Sequence, residues 1–142
     1  MGKRVLVVED DEFIGEVIAT SLDEQGYDVD VVSSGQKIWQ YLKRRRPSLI
    51  LLDLALPQED GISICRKLRK TSVTAKVPII IVSAMSQPRN VRAAIEAGAN
   101  DFIKKPFDID ELVTAAATYA SQQIRAANPL PMGLLGSTGQ AI

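Results

Sequence analysis

Five side chains in this sequence could do chemistry together if the fold gathered them: the acidic pair Glu9-Asp10, Asp53, the hydroxyl of Ser83 and the ammonium of Lys105. Three carboxylates in one place repel one another. Two unit charges about 4 Å apart cost roughly 4 kcal/mol at an effective dielectric near 20, so such a cluster requires protonation or a cation. Hard oxygen donors, with no histidine in the chain, point to Mg²⁺ or Mn²⁺, which keeps several waters and takes few protein ligands beside phosphate oxygens. Lys105 adds a second positive charge. A carboxylate surrounded by metal, ammonium and hydroxyl is prepared for an incoming phosphoryl group, and an aspartate can accept one as an aspartyl phosphate. Asp53, central among the candidates, is the expected nucleophile. Taken singly, each residue reads more readily as a helix cap or a loop solvator; the functional reading comes from their joint placement.

That placement depends on the elements between them. Apolar runs at Val5–Val8, Val29–Val32, Leu49–Leu52, Val77–Val82 and a weaker Asp101–Lys104 alternate with helix-period stretches at about residues 11–25, 36–46, 61–72, 89–98 and 109–125. This is the βα repeat of a parallel sheet, and the unalternating middle runs suit strands covered on both faces. Glu9-Asp10, Asp53, Ser83 and Lys105 each close one of these runs, so one edge of the sheet collects them, where open parallel sheets bind ligands. Gly26 and Gly98 follow helix ends where a left-handed cap is wanted. Pro47 is expected to stop the second helix behind a last turn of Lys43-Arg44-Arg45-Arg46 that the helix dipole favours.

Composition narrows the classes further. The chain has 142 residues, 46% of them hydrophobic, enough for one domain with a real core. Lys plus Arg and Asp plus Glu number 17 each, which lacks the basic excess that non-specific nucleic-acid binding draws on, so no direct nucleic-acid contact is expected. The absence of histidine removes Ser-His-Asp and Cys-His sites, histidine-bound zinc and phosphohistidine carriers. Cys65, the single cysteine, falls in a helical apolar stripe and reads as core. The first apolar run is too short for a signal-peptide core or membrane span, so a cytoplasmic protein with no membrane contact is expected. From about residue 127 the sequence turns to Asn128-Pro129-Leu130-Pro131-Met132-Gly133 and loses its period; residues 1–126 are read as the domain and 127–142 as a flexible tail or linker.

From about Arg4 to Gln123 the chain resembles the receiver domain of two-component response regulators. The resemblance rests on Val-Leu-Val-Val-Glu9-Asp10-Asp11, on Leu-Ile-Leu-Leu-Asp53-Leu-Ala-Leu-Pro57 through Asp60-Gly61, on Val82-Ser83-Ala84 and on Lys104-Lys105-Pro106-Phe107. It implies a flavodoxin-like, doubly wound sheet of five parallel strands, in the order 2-1-3-4-5 with five helices. It implies a signalling switch that catalyses only its own phosphoryl uptake and loss, with Asp53 as phosphoacceptor and a sensor histidine kinase or phosphotransfer protein as donor. Mg²⁺ would be held by Asp10, by Asp53, by the Ala55 carbonyl and, through water, by Glu9. Ser83, Ala84 and Lys105 would hold the phosphate, with the Lys105-Pro106 bond cis and Lys104 facing solvent. Ser83 and Phe102 would form the switch, biasing the surface of the fourth helix, fifth strand and fifth helix toward a downstream effector or a homodimer. Phe13 and Ile14, at the start of the first helix, would meet the donor. Non-polar Ala55 and Met85 imply slow loss of the phosphoryl group.

Three other readings compete. An aspartate-nucleophile phosphatase shares the metal and lysine, but usually has a second aspartate where this chain has Ala55. A phosphate-independent adaptor on the same fold would tend to lose acidic or lysine positions that are all present. A flavodoxin-like cofactor binder wants amides and positive charge where these loops carry acid.

Overall fold

The computed structural model describes residues 2–122. The expected tail at 127–142 lies outside them. Among the described residues seven strands and five helices follow in chain order: β1 Arg4–Val8, α1 Glu12–Asp23, β2 Asp28–Val32, α2 Gly35–Leu42, β3 Leu49–Leu52, β4 Ala55–Leu56, β5 Glu59–Asp60, α3 Gly61–Lys70, β6 Ile79–Ser83, α4 Pro88–Glu96, β7 Asp101–Lys104 and α5 Ile109–Gln122. Five strands make one parallel sheet in the order β2-β1-β3-β6-β7, the order expected for a doubly wound receiver-like sheet. The other two, β4 and β5, form a small antiparallel hairpin between β3 and α3 that the sequence reading did not contain.

Alternation along the strands divides the core. Leu6, Val8, Ile50, Leu52, Ile79 and Ile81 pack with Ile38 and Tyr41 of α2, Ile64, Cys65 and Leu68 of α3, and Ala94 of α4. Their neighbours Val5, Val7, Leu49, Leu51, Ile80 and Val82 pack on the opposite face with Ile18 and Leu22 of α1 and Leu112 and Ala116 of α5. The middle strands read as continuous apolar runs because both faces are covered. Burying each Leu or Ile contributes about 1.5–3 kcal/mol, so these two layers fix which strand ends lie side by side.

Local signals set the helix boundaries. Asp11 Oδ1 accepts from Ile14 N–H at 3.1 Å to open α1, Ser34 Oγ accepts from Lys37 N–H at 3.4 Å to open α2, and Asp60 Oδ1 accepts from Ile62 N–H at 3.1 Å to open α3. Gly26 and Gly98 take φ of 96° and 114°, the left-handed turns expected after α1 and α4. Helix α2 departs from expectation by ending at Leu42, so Lys43–Arg46 do not form its last turn. The Arg46 guanidinium donates back to the Leu42 carbonyl, which does for the orphan helix end what another turn would have done.

Tyr41 and Tyr119 are buried in the two layers. Burial first, then the charge of Asp30, pushes the Tyr41 phenol well above its ordinary 10.0, and burial with Asp101 does the same for Tyr119. A raised folded value means the native state keeps the proton after the unfolded chain has lost it. Stability contributed by these hydroxyls is therefore present below pH 10 and declines above it, by about 1.4 kcal/mol per pH unit for each group. Denaturant titrations between pH 9 and 11.5 are expected to show this decline, with a shallower slope for Tyr41→Phe; an unchanged slope in that variant would mean the Tyr41 phenol ionises alike in both states.

Candidate functional site

Parallel pairing brings the candidate residues to one edge. Asp53 N–H donates to the Val8 carbonyl at 3.1 Å, which seats the end of β3 against the end of β1, and Lys105 N–H donates to the Ser83 carbonyl at 3.0 Å, which does the same for β7 and β6. Lys105 Nζ then lies 2.7 Å from Glu9 Oε1 and 2.8 Å from Asp53 Oδ2, bridging two buried carboxylates. Of the adjacent lysines it is Lys105 that turns inward, while Lys104 is exposed. The Lys105-Pro106 bond is cis, as the resemblance implied.

The remaining oxygens are also directed. Glu9 Oε2 accepts from Asp11 N–H at 3.1 Å, and Asp53 Oδ1 accepts from Ala55 N–H at 3.0 Å. Burial holds the Glu9 carboxyl above its ordinary range although Lys105 opposes the shift. At Lys105 burial works against the ammonium, but the bonds to Asp53 and Glu9 outweigh it and hold its pKa above the usual value. One oxygen from each of Glu9, Asp10 and Asp53 lies within 4.8 Å of the others, with Asp10 exposed and the other two buried. An all-oxygen cluster with one open side suits Mg²⁺, which retains water and accepts substrate oxygens. Both oxygens of Glu9 and both of Asp53 already hold a hydrogen bond, so of the three carboxylates exposed Asp10 is the freest to meet a cation directly.

Ser83 is fully buried and its Oγ accepts from Met85 N–H at 3.1 Å, which leaves the hydroxyl proton available. Ala84 next to it is exposed, and Phe102 is half-buried against the layer of α2, α3 and α4. Phe13 is 74% exposed at the start of α1, whereas Ile14 packs against the α1–α5 layer, so the structure separates this pair. Ala55 opens the β4–β5 hairpin, whose turn places Gln58 at φ 62°, a left-handed conformation that costs a residue with a β-carbon about 1 kcal/mol. A β-carbon on Gly61 would lie 2.5 Å from Leu54 Cα and 2.7 Å from the Asp53 carbonyl oxygen, so the hairpin closes against the end of β3 only with glycine there.

The model of the response regulator receiver domain family matches residues 5–117. The chain belongs to the response-regulator receiver family. Among curated relatives of this receiver, the DNA-binding response regulator MtrA of Mycolicibacterium paratuberculosis is 40% identical over 113 residues, covering 80% of this chain and 49% of MtrA. The DNA-binding dual master transcriptional regulator RpaA of Synechocystis is 34% identical over 110 residues, covering 78% of this chain and 46% of RpaA. The receiver thus spans about half the length of these relatives. Among solved structures, the receiver domain of sensor histidine kinase PA1611 from Pseudomonas aeruginosa PAO1, with a magnesium ion coordinated in its active-site cleft, is similar at TM-score 0.78 and 32% identity over 85% of this chain and 99% of that one. The receiver domain of Francisella response regulator 1452 is similar at TM-score 0.78 and 31% identity over 85% and 98%.

Sequence reasoning missed one strongly connected residue of this receiver. Arg69 Nε donates to the Gly98 carbonyl at 2.9 Å, one terminal nitrogen donates to Thr74 and Val77 carbonyls at 3.0 and 2.6 Å, and the other to Asn100 Oδ1 at 2.8 Å. Asn100 Oδ1 also accepts from Ile79 N–H at 2.9 Å. The available signal was the row Gly61, Cys65, Arg69, four residues apart, which places a cation on the buried side of α3.

Proposed function

We propose that this receiver takes a phosphoryl group onto Asp53 from a phosphohistidine of a sensor kinase or phosphotransfer protein, in a reaction requiring Mg²⁺. The observation that carries the reading is the Lys105 ammonium bridging buried Glu9 and Asp53 beside exposed Asp10. In the transfer, an Asp53 carboxylate oxygen forms the new bond to phosphorus while the bond to the donor imidazole nitrogen breaks and leaves its electron pair on the ring. Bound Mg²⁺, held by Asp10, Asp53, the Ala55 carbonyl and, through water, Glu9, would supply positive charge to the phosphoryl oxygens. Lys105 would follow the charge from the Asp53 carboxylate to a phosphoryl oxygen, and Ser83 Oγ and the Ala84 N–H would donate to another. Ser83 would give up its bond to Met85 N–H to do so, and Phe102 would turn into the space released, biasing the α4, β7 and α5 surface toward a downstream effector, an output domain or a homodimer. The chain is then a cytoplasmic signalling switch rather than an enzyme with turnover, and non-polar Ala55 and Met85 favour a long-lived phosphoryl group.

Intact mass after incubation with acetyl phosphate, with and without Mg²⁺, tests this. A single Mg²⁺-dependent phosphate adduct is expected, placed by peptide mapping on the peptide containing Asp53; no adduct in protein that binds Mg²⁺ would instead favour a phosphate-independent adaptor. For the donor surface, exposed Phe13 is the anchor. Phe13→Ala is expected to slow transfer from the cognate donor about tenfold or more, as loss of a central aromatic contact does, and to leave uptake from acetyl phosphate unchanged. Equal slowing with both donors would place the effect in the site rather than in docking.

A further inference from the structure

The β4–β5 hairpin is tied at one end to Asp53, through Ala55 N–H to Asp53 Oδ1 at 3.0 Å, and at the other to its neighbour, through Gly61 N–H to the Leu54 carbonyl at 3.0 Å. Its middle is held differently. A β-carbon built on Gly35, the first residue of α2, would fall 2.1 Å from Glu59 Oε1 and 2.6 Å from Oε2, so the half-buried Glu59 carboxylate occupies the space that a side chain at Gly35 would take. The first turn of a helix presents unpaired N–H groups and a positive dipole end, a favourable neighbour for a carboxylate. Among the described residues no lysine or arginine pairs with Glu59. Glu59 is also paired across the hairpin with Leu56, and Asp60 beside it with Ala55.

We propose that Glu59 is a positioning residue, whose carboxylate, seated on the Gly35 end of α2, holds the hairpin so that the Ala55 N–H keeps its bond to Asp53 Oδ1 and the Asp53 carboxylate its aim. Movement of α2 and occupancy of the cation site are thereby coupled. The proposal rests on the reading that Mg²⁺ binds beside Asp53. Gly35 is informative because replacing it leaves every carboxylate in place and fills only the seat. A glycine-to-alanine change in a helix ordinarily stabilises, so a shortfall from that gain at this position reports displacement of the Glu59 carboxylate.

The test is a double-mutant cycle of Gly35→Ala and Glu59→Ala, with Glu59→Gln as a milder variant, read by Mg²⁺ calorimetry and by denaturation midpoint. Each alanine variant is expected to weaken Mg²⁺ binding roughly tenfold, as loss of a group that supports metal ligands does. The pair together should weaken it no further, and Glu59→Gln should fall between parent and alanine. Gly35→Ala should raise the midpoint less in the parent than in the Glu59→Ala background. Unchanged Mg²⁺ affinity in Gly35→Ala, or losses that multiply in the double variant, overturns the proposal. Acetyl phosphate uptake by the parent separates the two readings: Mg²⁺ shifts as expected without any uptake sink the phosphoacceptor reading and support the role of Glu59, whereas a parent that binds no Mg²⁺ sinks both.

Discussion

Asp53→Asn protein will carry no phosphate after incubation with acetyl phosphate and Mg²⁺, with the adduct falling by at least about a hundredfold, the scale on which loss of a group acting in the transition state is felt. The amide lacks the charged oxygen that the proposed transfer needs to form the bond to phosphorus. The variant should nevertheless fold normally. Its side-chain carbonyl can still accept from Ala55 N–H, as Asp53 Oδ1 does, and Lys105 keeps its 2.7 Å bond to Glu9. What changes is that Lys105 loses one of two partners while Glu9 and Asp10 lose a repelling neighbour. These opposed terms leave stability within about 1 kcal/mol of the parent, since removing a carboxylate that faces others is partly self-compensating. Intact mass and a urea titration on the same preparation check both halves. An adduct persisting at the parental level would show that another residue accepts the group.

Arg69→Met will cost on the order of 3 kcal/mol, because the half-buried guanidinium serves several carbonyls and each left without a donor costs about 1–3 kcal/mol, softened where water can enter. The cost is structural and local to the end of the sheet opposite the site. Arg69 ties the end of α3 to the Thr74–Val77 segment before β6 and to the Gly98–Asn100 turn before β7. Burial pulls its pKa below the ordinary arginine value, yet a guanidinium has far to fall before it loses its charge. The denaturation midpoint should drop by roughly 10 °C or more, the shift a domain of this size shows for such a loss. Mg²⁺ affinity and the Asp53 adduct should be unchanged under conditions where the variant is folded. A loss of stability below about 1 kcal/mol would mean that water replaces the guanidinium at these carbonyls with little penalty.

Comparison of these two residues shows what the sequence could and could not disclose. Asp53, Glu9, Asp10 and Lys105 stand at the ends of apolar runs, and in a parallel sheet the end of a run is already a position in space, so their convergence was legible before any coordinates. The choice of Lys105 over Lys104 followed from the proline after it. Arg69 was hidden because most of its partners are main-chain carbonyls, which leave no trace in residue types. The end of α2 was misjudged for a related reason: a basic run reads as a helix C-terminus, but Arg46 satisfies the Leu42 carbonyl by folding back, and the helix stops a turn early. The hairpin after Asp53 was invisible because two-residue strands carry no period, and Gln58 occupies a left-handed position where glycine or asparagine would have announced the turn.

Among the described residues the sheet has two open edges, and both are guarded. β2 carries Asp28 and Asp30 along one edge, and β7 begins at Asp101 and ends at Lys104 on the other. Charged residues on short edge strands discourage a neighbouring chain from adding its own strand. Concentrated solutions of this protein should therefore resist edge-to-edge growth into cross-β aggregates. Any self-association that phosphorylation controls is left to helices and loops, which can separate again when the phosphoryl group is lost.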